Sequence, residues 1–437
     1  MRKLSKVPLL GLASLAIASQ AHADVAFHGY GQIVAGTVFS NNRTFPSESQ
    51  GYSYHADPTF TPNSNFALQA TAPLDSSISA TAQILARGDD DFQPKFQWAY
   101  LKYQLNDTYA LKAGRLQLPF YQYSDYQFVG EAYPWVLPPE AVYFAQESQY
   151  DGLDLSAEKS WGNWYFYMQA MYGSFDNTAL NPVATPNGTV TTSVTVHDHN
   201  ITGLTLDSSY NDWLTLRAAA FVEKLSLVGD GNKYNPLTTL DSVVSSLISQ
   251  NQPDAAKAIS TSDDPYMYVV ASAQIARNNF LFLAEFQGLQ PIAGASGFGP
   301  SIASEYVSLG YHFGKLLPLA TLGHRNQYIR ANKIKSAING NPNVTIPFVL
   351  PNGNVLNVPA PADSVVDGLA ENPGVRLKDY FYEFGLRYDL TPTVALKLDY
   401  TFYESHWKTT DYPTAAAGGA VNPPNASRLL GAVTFSF

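Results

Sequence analysis

The chain has 437 residues and a formal net charge of −10, with only 14% charged residues but 13% aromatic ones, among them 28 Tyr and 24 Phe. Soluble domains carry roughly 25% charge. After residue 23 there is no run of about 20 apolar residues, which excludes a helical membrane bundle. Cys is absent, which excludes disulfide frameworks, Cys-held metals and Cys nucleophiles.

Residues 1–23 (MRKLSKVPLLGLASLAIASQAHA) read as a cleaved secretory signal peptide. Arg2, Lys3 and Lys6 form its basic start, Pro8 to Ala18 its short apolar core, and Ala21-His22-Ala23 its small-residue cleavage site. The mature chain would begin at Asp24 with 23 basic against 36 acidic residues, a net −13. Nucleic acid is not an expected partner, because phosphate contacts need a basic face.

From residue 24 onward the chain alternates. Strict apolar/polar alternation marks a strand with two unlike faces. Candidate strands run over 24–39, 63–73, 77–89, 95–105, 109–118, 149–159, 164–174, 199–208, 213–225, 265–277, 280–290, 304–314, 317–331, 379–390, 393–406 and 426–437. The segment DYFYEFGLRYDL (379–390) is the clearest. Tyr380, Tyr382, Phe384, Leu386, Tyr388 and Leu390 share one face, and Phe381, Glu383, Gly385, Arg387 and Asp389 the other. After Thr391-Pro392-Thr393, Val394, Leu396, Leu398, Tyr400 and Phe402 alternate with Ala395, Lys397, Asp399, Thr401 and Tyr403.

The connections alternate as well. Short ones fall at 73–76, 106–108, 160–163, 209–212, 278–279, 314–316 and 391–392. Most of the others are long: 40–62, 118–148, 175–198, 226–264, 291–303, 332–378 and 407–425. A water-soluble sandwich has no use for aromatic residues on an outer face, yet Phe27, Trp164, Trp213, Tyr380 and Tyr388 stand near strand ends. Lipid outside and water inside invert the soluble rule, and an edge in hydrocarbon must close. The expected fold is therefore all-β: a transmembrane antiparallel barrel of sixteen strands over 24–437, with short periplasmic turns and long extracellular loops.

Three segments carry a family resemblance: FHGYGQIVAG in the first strand, LKAGRLQLPF after a short turn, and the aromatic end AVTFSF. The mature chain resembles the trimeric, sixteen-stranded porins of Gram-negative bacteria. SDYQFVGEAYPWVLPPEAVY is also similar to a group of porin-like proteins from gammaproteobacteria. The resemblance implies an outer-membrane homotrimer among lipid and lipopolysaccharide. It implies that Phe435 and Phe437 belong to a signal for the barrel assembly machinery, although Gly431 stands six residues before the end where the family often has Gly five before. It also implies that loop 3, here 118–148, folds into the pore as its constriction.

That loop carries Asp125, Glu131, Glu140 and Glu147 and no Lys or Arg, with Tyr121, Tyr126 and Trp135 among its many aromatics. Alternation puts Arg87, Arg217, Arg387, Lys397 and Arg428 on the inner wall, and Lys112 and Arg115 lie beside the loop, where parity breaks near Gly114. Acid facing base across a channel gives a transverse field that favours polar solutes. The same charges could merely anchor the loop, with Arg115 bridging to one of its acids. Glu383, Arg387, Lys397 and Asp399 could form only a wall ladder. The loop aromatics could stack ligands or pack the loop.

Other features say less. Asp89-Asp90-Asp91 reads as a solvated rim rather than a cation site, and His197-x-His199 as surface loop without a third metal ligand. Residues 239–260 suggest one or two helices in an external loop. No catalytic constellation, cofactor or metal site is expected: there is no G-x-S-x-G motif, and His28, His312, His324 and His406 are scattered. The reading is a passive, mildly cation-preferring channel for small hydrophilic solutes and ions. A porin selective for sugars, carboxylates or aromatic solutes is the alternative, and a barrel enzyme or adhesin comes behind both.

Overall fold

A computed structural model of the chain describes residues 25–39, 54, 56–143, 149–185, 188–292, 301–349, 354–370, 377–405 and 425–437. The segment read as a signal peptide lies outside them, as does Glu147. The strands are β1 (Ala26–Val38), β2 (Asn65–Pro73), β3 (Ile78–Arg87), β4 (Lys95–Gln104), β5 (Tyr109–Gln117), β6 (Gln149–Trp161), β7 (Trp164–Thr185), β8 (Gly188–Tyr210) and β9 (Leu214–Gly229). They continue with β10 (Asp264–Arg277), β11 (Phe280–Pro291), β12 (Ser301–Tyr311), β13 (Leu316–Tyr328), β14 (Asn343–Val349), β15 (Val355–Pro361), β16 (Leu377–Thr391), β17 (Val394–Ser405) and β18 (Ala426–Ser436). All but β14 and β15 form one closed antiparallel barrel of sixteen strands, in which each pairs with its chain neighbour and β13 pairs with β16.

Closure is made at the two ends of the chain. β1 and β18 pair from Tyr30↔Ser436 to Val38↔Arg428. One step further, Phe437 N donates to Gly29 O (2.8 Å) and Gly29 N to Phe437 O (2.9 Å). The Phe437 ring stacks near Phe66 at 6.1 Å. It also covers Gly29, where a β-carbon would stand 2.2 Å from a ring atom. The terminal aromatic therefore fills a space that only glycine leaves open, as aromatic rings do over glycines in other sheets.

The two faces of the wall follow the pleat. On β16, Phe384 is 66% exposed and Glu383 only 5%. Leu396, Leu398 and Tyr400 of β17 are exposed, while Lys397, Asp399 and Thr401 are buried. An exposed apolar band with a polar interior is the arrangement of a barrel in lipid.

The structure differs from the sequence expectation outside the band. Residues 175–198, expected as a loop, extend β7 and β8 to 22 and 23 residues. At roughly 3.4 Å per residue this hairpin far exceeds a hydrocarbon core of about 30 Å. Register shifts at Gly173/Phe175 and His199/Thr202 interrupt the alternation, so the pattern stops while the strand does not. The β-branched run Val190–Val196 is what continues it. His197 and His199 thus stand on a strand, and His197 pairs with Asp176 at 2.6 Å.

Two external connections join into a cap. The β9–β10 segment holds helices α1 (Pro236–Ser249) and α2 (Pro253–Ile259), where helices were expected. The segment between β13 and β16 holds α3 (Ala331–Ser336), the β14–β15 hairpin and α4 (Ala362–Ala370). Leu240, Val243, Leu247, Ile259, Ile334, Val344 and Val366 form a shared apolar core. Gln252 ties the halves, with Nε2 donating to Asn339 O (2.6 Å) and Oε1 accepting from Asn339 N (3.0 Å).

Replacing Gly29 with Leu is expected to displace Phe437 and cost about 1–3 kcal/mol, the range for overpacking. Thermal unfolding in detergent, followed by the heat-dependent gel mobility of the barrel, measures it; an unchanged midpoint would show that the ring has free room.

Candidate functional site

The connection from β5 to β6 is described over residues 118–143. It turns through two short 3-10 segments, Ser124–Tyr126 and Gly130–Ala132. Its side chains and backbone bond to the polar face of the wall from β9 round to β18.

The first grip is at the loop's start. Arg217 on β9 is held by Asp207 of β8 (3.0 and 2.9 Å) and donates through Nη2 to Pro119 O. Phe120 stacks on Tyr268 of β10 at 4.5 Å and meets Phe221 edge-on at 4.7 Å. Tyr268 donates to Tyr121 Oη at 2.7 Å. Glu285 of β11 is the centre of the second grip. It accepts from Gln122 N (2.8 Å), Tyr143 Oη (2.7 Å) and Tyr306 Oη (3.2 Å). Gln287 Nε2 donates to Val142 O at 3.0 Å.

The third grip lies on β13, β16, β17 and β18. Trp135, fully buried, donates from Nε1 to Thr321 Oγ1 at 2.9 Å. Val136 N donates to Asp399 Oδ2 at 2.5 Å. Lys397 Nζ donates to the carbonyls of Gly130, Tyr133 (2.6 Å) and Trp135 (2.6 Å), and stands over the Tyr133 ring at 4.6 Å. Arg387 Nη1 donates to Glu131 O (2.7 Å) and Tyr133 O (3.0 Å), and its Nη2 meets Glu131 Oε1 at 3.2 Å. Arg428 Nη1 meets Glu140 Oε1 at 2.6 Å. Burial pushes the Glu131 carboxyl above its ordinary value, while Arg387 and Lys397 pull it down. Arg87 adds a cation–ring contact with Phe128 at 5.0 Å.

Arg217, Arg387, Lys397 and Arg428 therefore reach the loop from the inner face, and three of them bind its backbone carbonyls. Glu383, Arg387, Lys397 and Asp399 do not form a wall ladder of their own: Arg387, Lys397 and Asp399 turn to loop atoms, and Glu383 accepts from Thr401 at 2.9 Å. Tyr121 and Trp135 are packing residues, 2% and 0% exposed. Asp125 and Tyr126 remain exposed.

Arg115 needs correction. The ladder on both sides of β5 runs unbroken through Gly114. Residues 112 and 115, an odd number apart, therefore take opposite faces. Lys112 faces inward and Arg115 outward, where it forms a two-pronged pair with Asp151 (2.9 and 2.9 Å) and touches no loop acid. Asp89 and Asp90 pair locally with Arg87 and Lys95. Among the described residues no cluster of His, Asp and Glu has the size of a metal site.

Glu285 was missed from the sequence. Alternation through FLFLAEFQGLQ sets Leu283, Glu285 and Gln287 on one face, and a lone inward acid opposite a Tyr-rich loop was the signal that could have found it.

No family model matches the chain, and no curated protein matches its sequence. Solved structures do match in fold. The outer membrane channel DcaP of Acinetobacter baumannii aligns over 96% of this chain and 99% of its own, at 10% identity and a TM-score of 0.51. A trimer form of OmpT, an outer membrane protein of Vibrio cholerae, aligns over 94% and 99%, at 11% identity and a TM-score of 0.50. The fold is that of the sixteen-stranded porins. At these identities the likeness is one of architecture alone.

Lys397→Met is expected to leave the carbonyls of Gly130 and Trp135 without a donor, at about 1–3 kcal/mol each, while Tyr133 O keeps its bond from Arg387. Limited proteolysis should then cut within 118–143 roughly ten-fold faster or more, with the barrel still folded; an unaltered cleavage pattern would show that Lys397 does not hold the loop. Arg115→Ala should leave any channel current as it was. A changed current would overturn its outward placement.

Proposed function

We propose that this protein is an outer-membrane channel for the passive diffusion of small hydrophilic solutes and ions, with 118–148 as its constriction. The observation that carries this reading is the loop's bonding to inner-face residues of strands on the far side of its origin, from Arg217 to Arg428. Bonds from a segment that starts between β5 and β6 to strands β9–β18 support a path of that segment through the barrel interior. Its three grips fix it to β9–β18, and Phe128 and Val129 also pack against Tyr30, Ala67 and Leu85 of β1–β3, so the passage would run beside β4–β8.

A mild cation preference follows from the charges. Every ionisable Asp or Glu of the loop is unbalanced by any loop Lys or Arg, and Glu131 and Glu140 are paired while Asp125 faces water. The outward reading of β2–β4 favours a homotrimer. Ala70↔Ala82, Ala72↔Ala80 and Ala82↔Ala99 pair across three strands, giving a flat patch beside the Arg115–Asp151 pair. Small residues allow another barrel to approach closely, and an ion pair is better placed against protein than against acyl chains. Delivery by the 1–23 signal peptide and insertion by the barrel assembly machinery through Phe435 and Phe437 belong to the same proposal, as does contact with lipopolysaccharide.

Selectivity for a sugar, carboxylate or aromatic solute is the second reading, favoured by the ring-rich loop. Planar-bilayer recording with the purified protein under a KCl gradient tests both. Stepwise current, in groups of three, with a reversal potential of cationic sign is expected. An anionic sign would overturn the cation preference, and silence from a folded barrel would overturn the channel.

A further inference from the structure

Away from its anchors, the loop leaves Asp125 and Tyr126 exposed, the latter at 50%. Asp125 lies within electrostatic reach of Lys112 on β5, Asp154 on β6 and Asp207 on β8. Lys112 stands directly across the β5–β6 ladder from Asp154, its Nζ is 5.9 Å from the centre of the Tyr100 ring, and Tyr167 and Asp125 lie within its electrostatic reach. Asp207 is committed to Arg217 (2.9 Å). The box therefore has two carboxylates, three rings and one tethered ammonium.

Asp154 supplies a second, independent observation. It is only 3% exposed. Its Oδ2 accepts from Gln169 Nε2 at 3.0 Å, while its Oδ1, buried, has no hydrogen-bond partner. A buried acceptor left without a partner is costly, so the oxygen calls for a donor. The donor that suits a carboxylate between tyrosine rings is an alkylammonium, which gains both a charge-assisted bond and ring attraction. A hydrated inorganic cation gains little from the rings. Lys112 demonstrates the fit, since its own ammonium occupies the box without bonding to Oδ1.

We propose that this box, formed by Asp125, Asp154, Tyr100, Tyr126 and Tyr167, is a subsite for the ammonium group of a small organic amine in transit, with Lys112 as its built-in competitor. The proposal rests on the channel reading and names a solute class for it. Lys112 keeps the affinity low, which suits passage: a pore site must bind weakly enough to release. An aromatic amine would set its ring against exposed Tyr126 as its nitrogen enters the box.

The test is block of KCl current through the full purified protein by tyramine, compared with its carboxylate counterpart 3-(4-hydroxyphenyl)propionate. Tyramine is expected to reach half-block at a concentration about five-fold lower or more. Lys112→Met, which frees the box, should lower that concentration a further ten-fold or so. Asp154→Asn added to it should abolish the gain. Asp125→Asn, at an exposed loop side chain that does not threaten folding, should weaken tyramine block in wild-type background about three-fold. Equal block by amine and carboxylate, or a Lys112→Met channel that blocks as the wild type does, would overturn the subsite while leaving the channel intact. A protein that passes no KCl current at all would overturn both.

Discussion

Everything in this molecule depends on the β1–β18 seam. A sheet in hydrocarbon cannot leave an edge, because each unpaired backbone group costs several kcal/mol there. Sixteen strands satisfy one another only if the first meets the last, so the final residues of the chain are structural. Phe437 supplies backbone bonds on one side and a ring over Gly29 on the other, so the last residue completes both the ladder and its packing.

Closure fixes which way every side chain points, and from that the interior follows. The inner face collects Glu285, Asp399, Lys397, Arg387 and Arg428, groups that would be costly to bury singly. The connection from β5 to β6 supplies their partners, mainly with its own backbone. Much of the wall's cationic charge is thus spent on carbonyl oxygens. Lys112 of β5 takes no part in these grips and stands across the ladder from Asp154 and beside the Tyr100 ring.

The barrel was legible because its physics has period two. The faces of DYFYEFGLRYDL stand as alternation assigns them, and so does the count of sixteen. Arg115 shows the same rule being abandoned too early: a glycine suggested a break in parity where the ladder is continuous. The long β7–β8 hairpin was illegible for the opposite reason, since register shifts end the alternation while Thr and Val keep the strand extended. Loop acids and inner-wall bases could be named from the sequence, but not who pairs with whom. Lys397 binding three carbonyls has no residue-level signature, because its partners are backbone atoms whose position depends on the folded loop.

The cap carries its own consequence. Two connections about a hundred residues apart share one apolar core on the outside of the barrel, so neither presents its native surface without the other. A binder raised against this cap would read a composite shape. A peptide copied from either segment would lose it, and a change in the core of one segment would alter recognition at the other without touching the residues recognised.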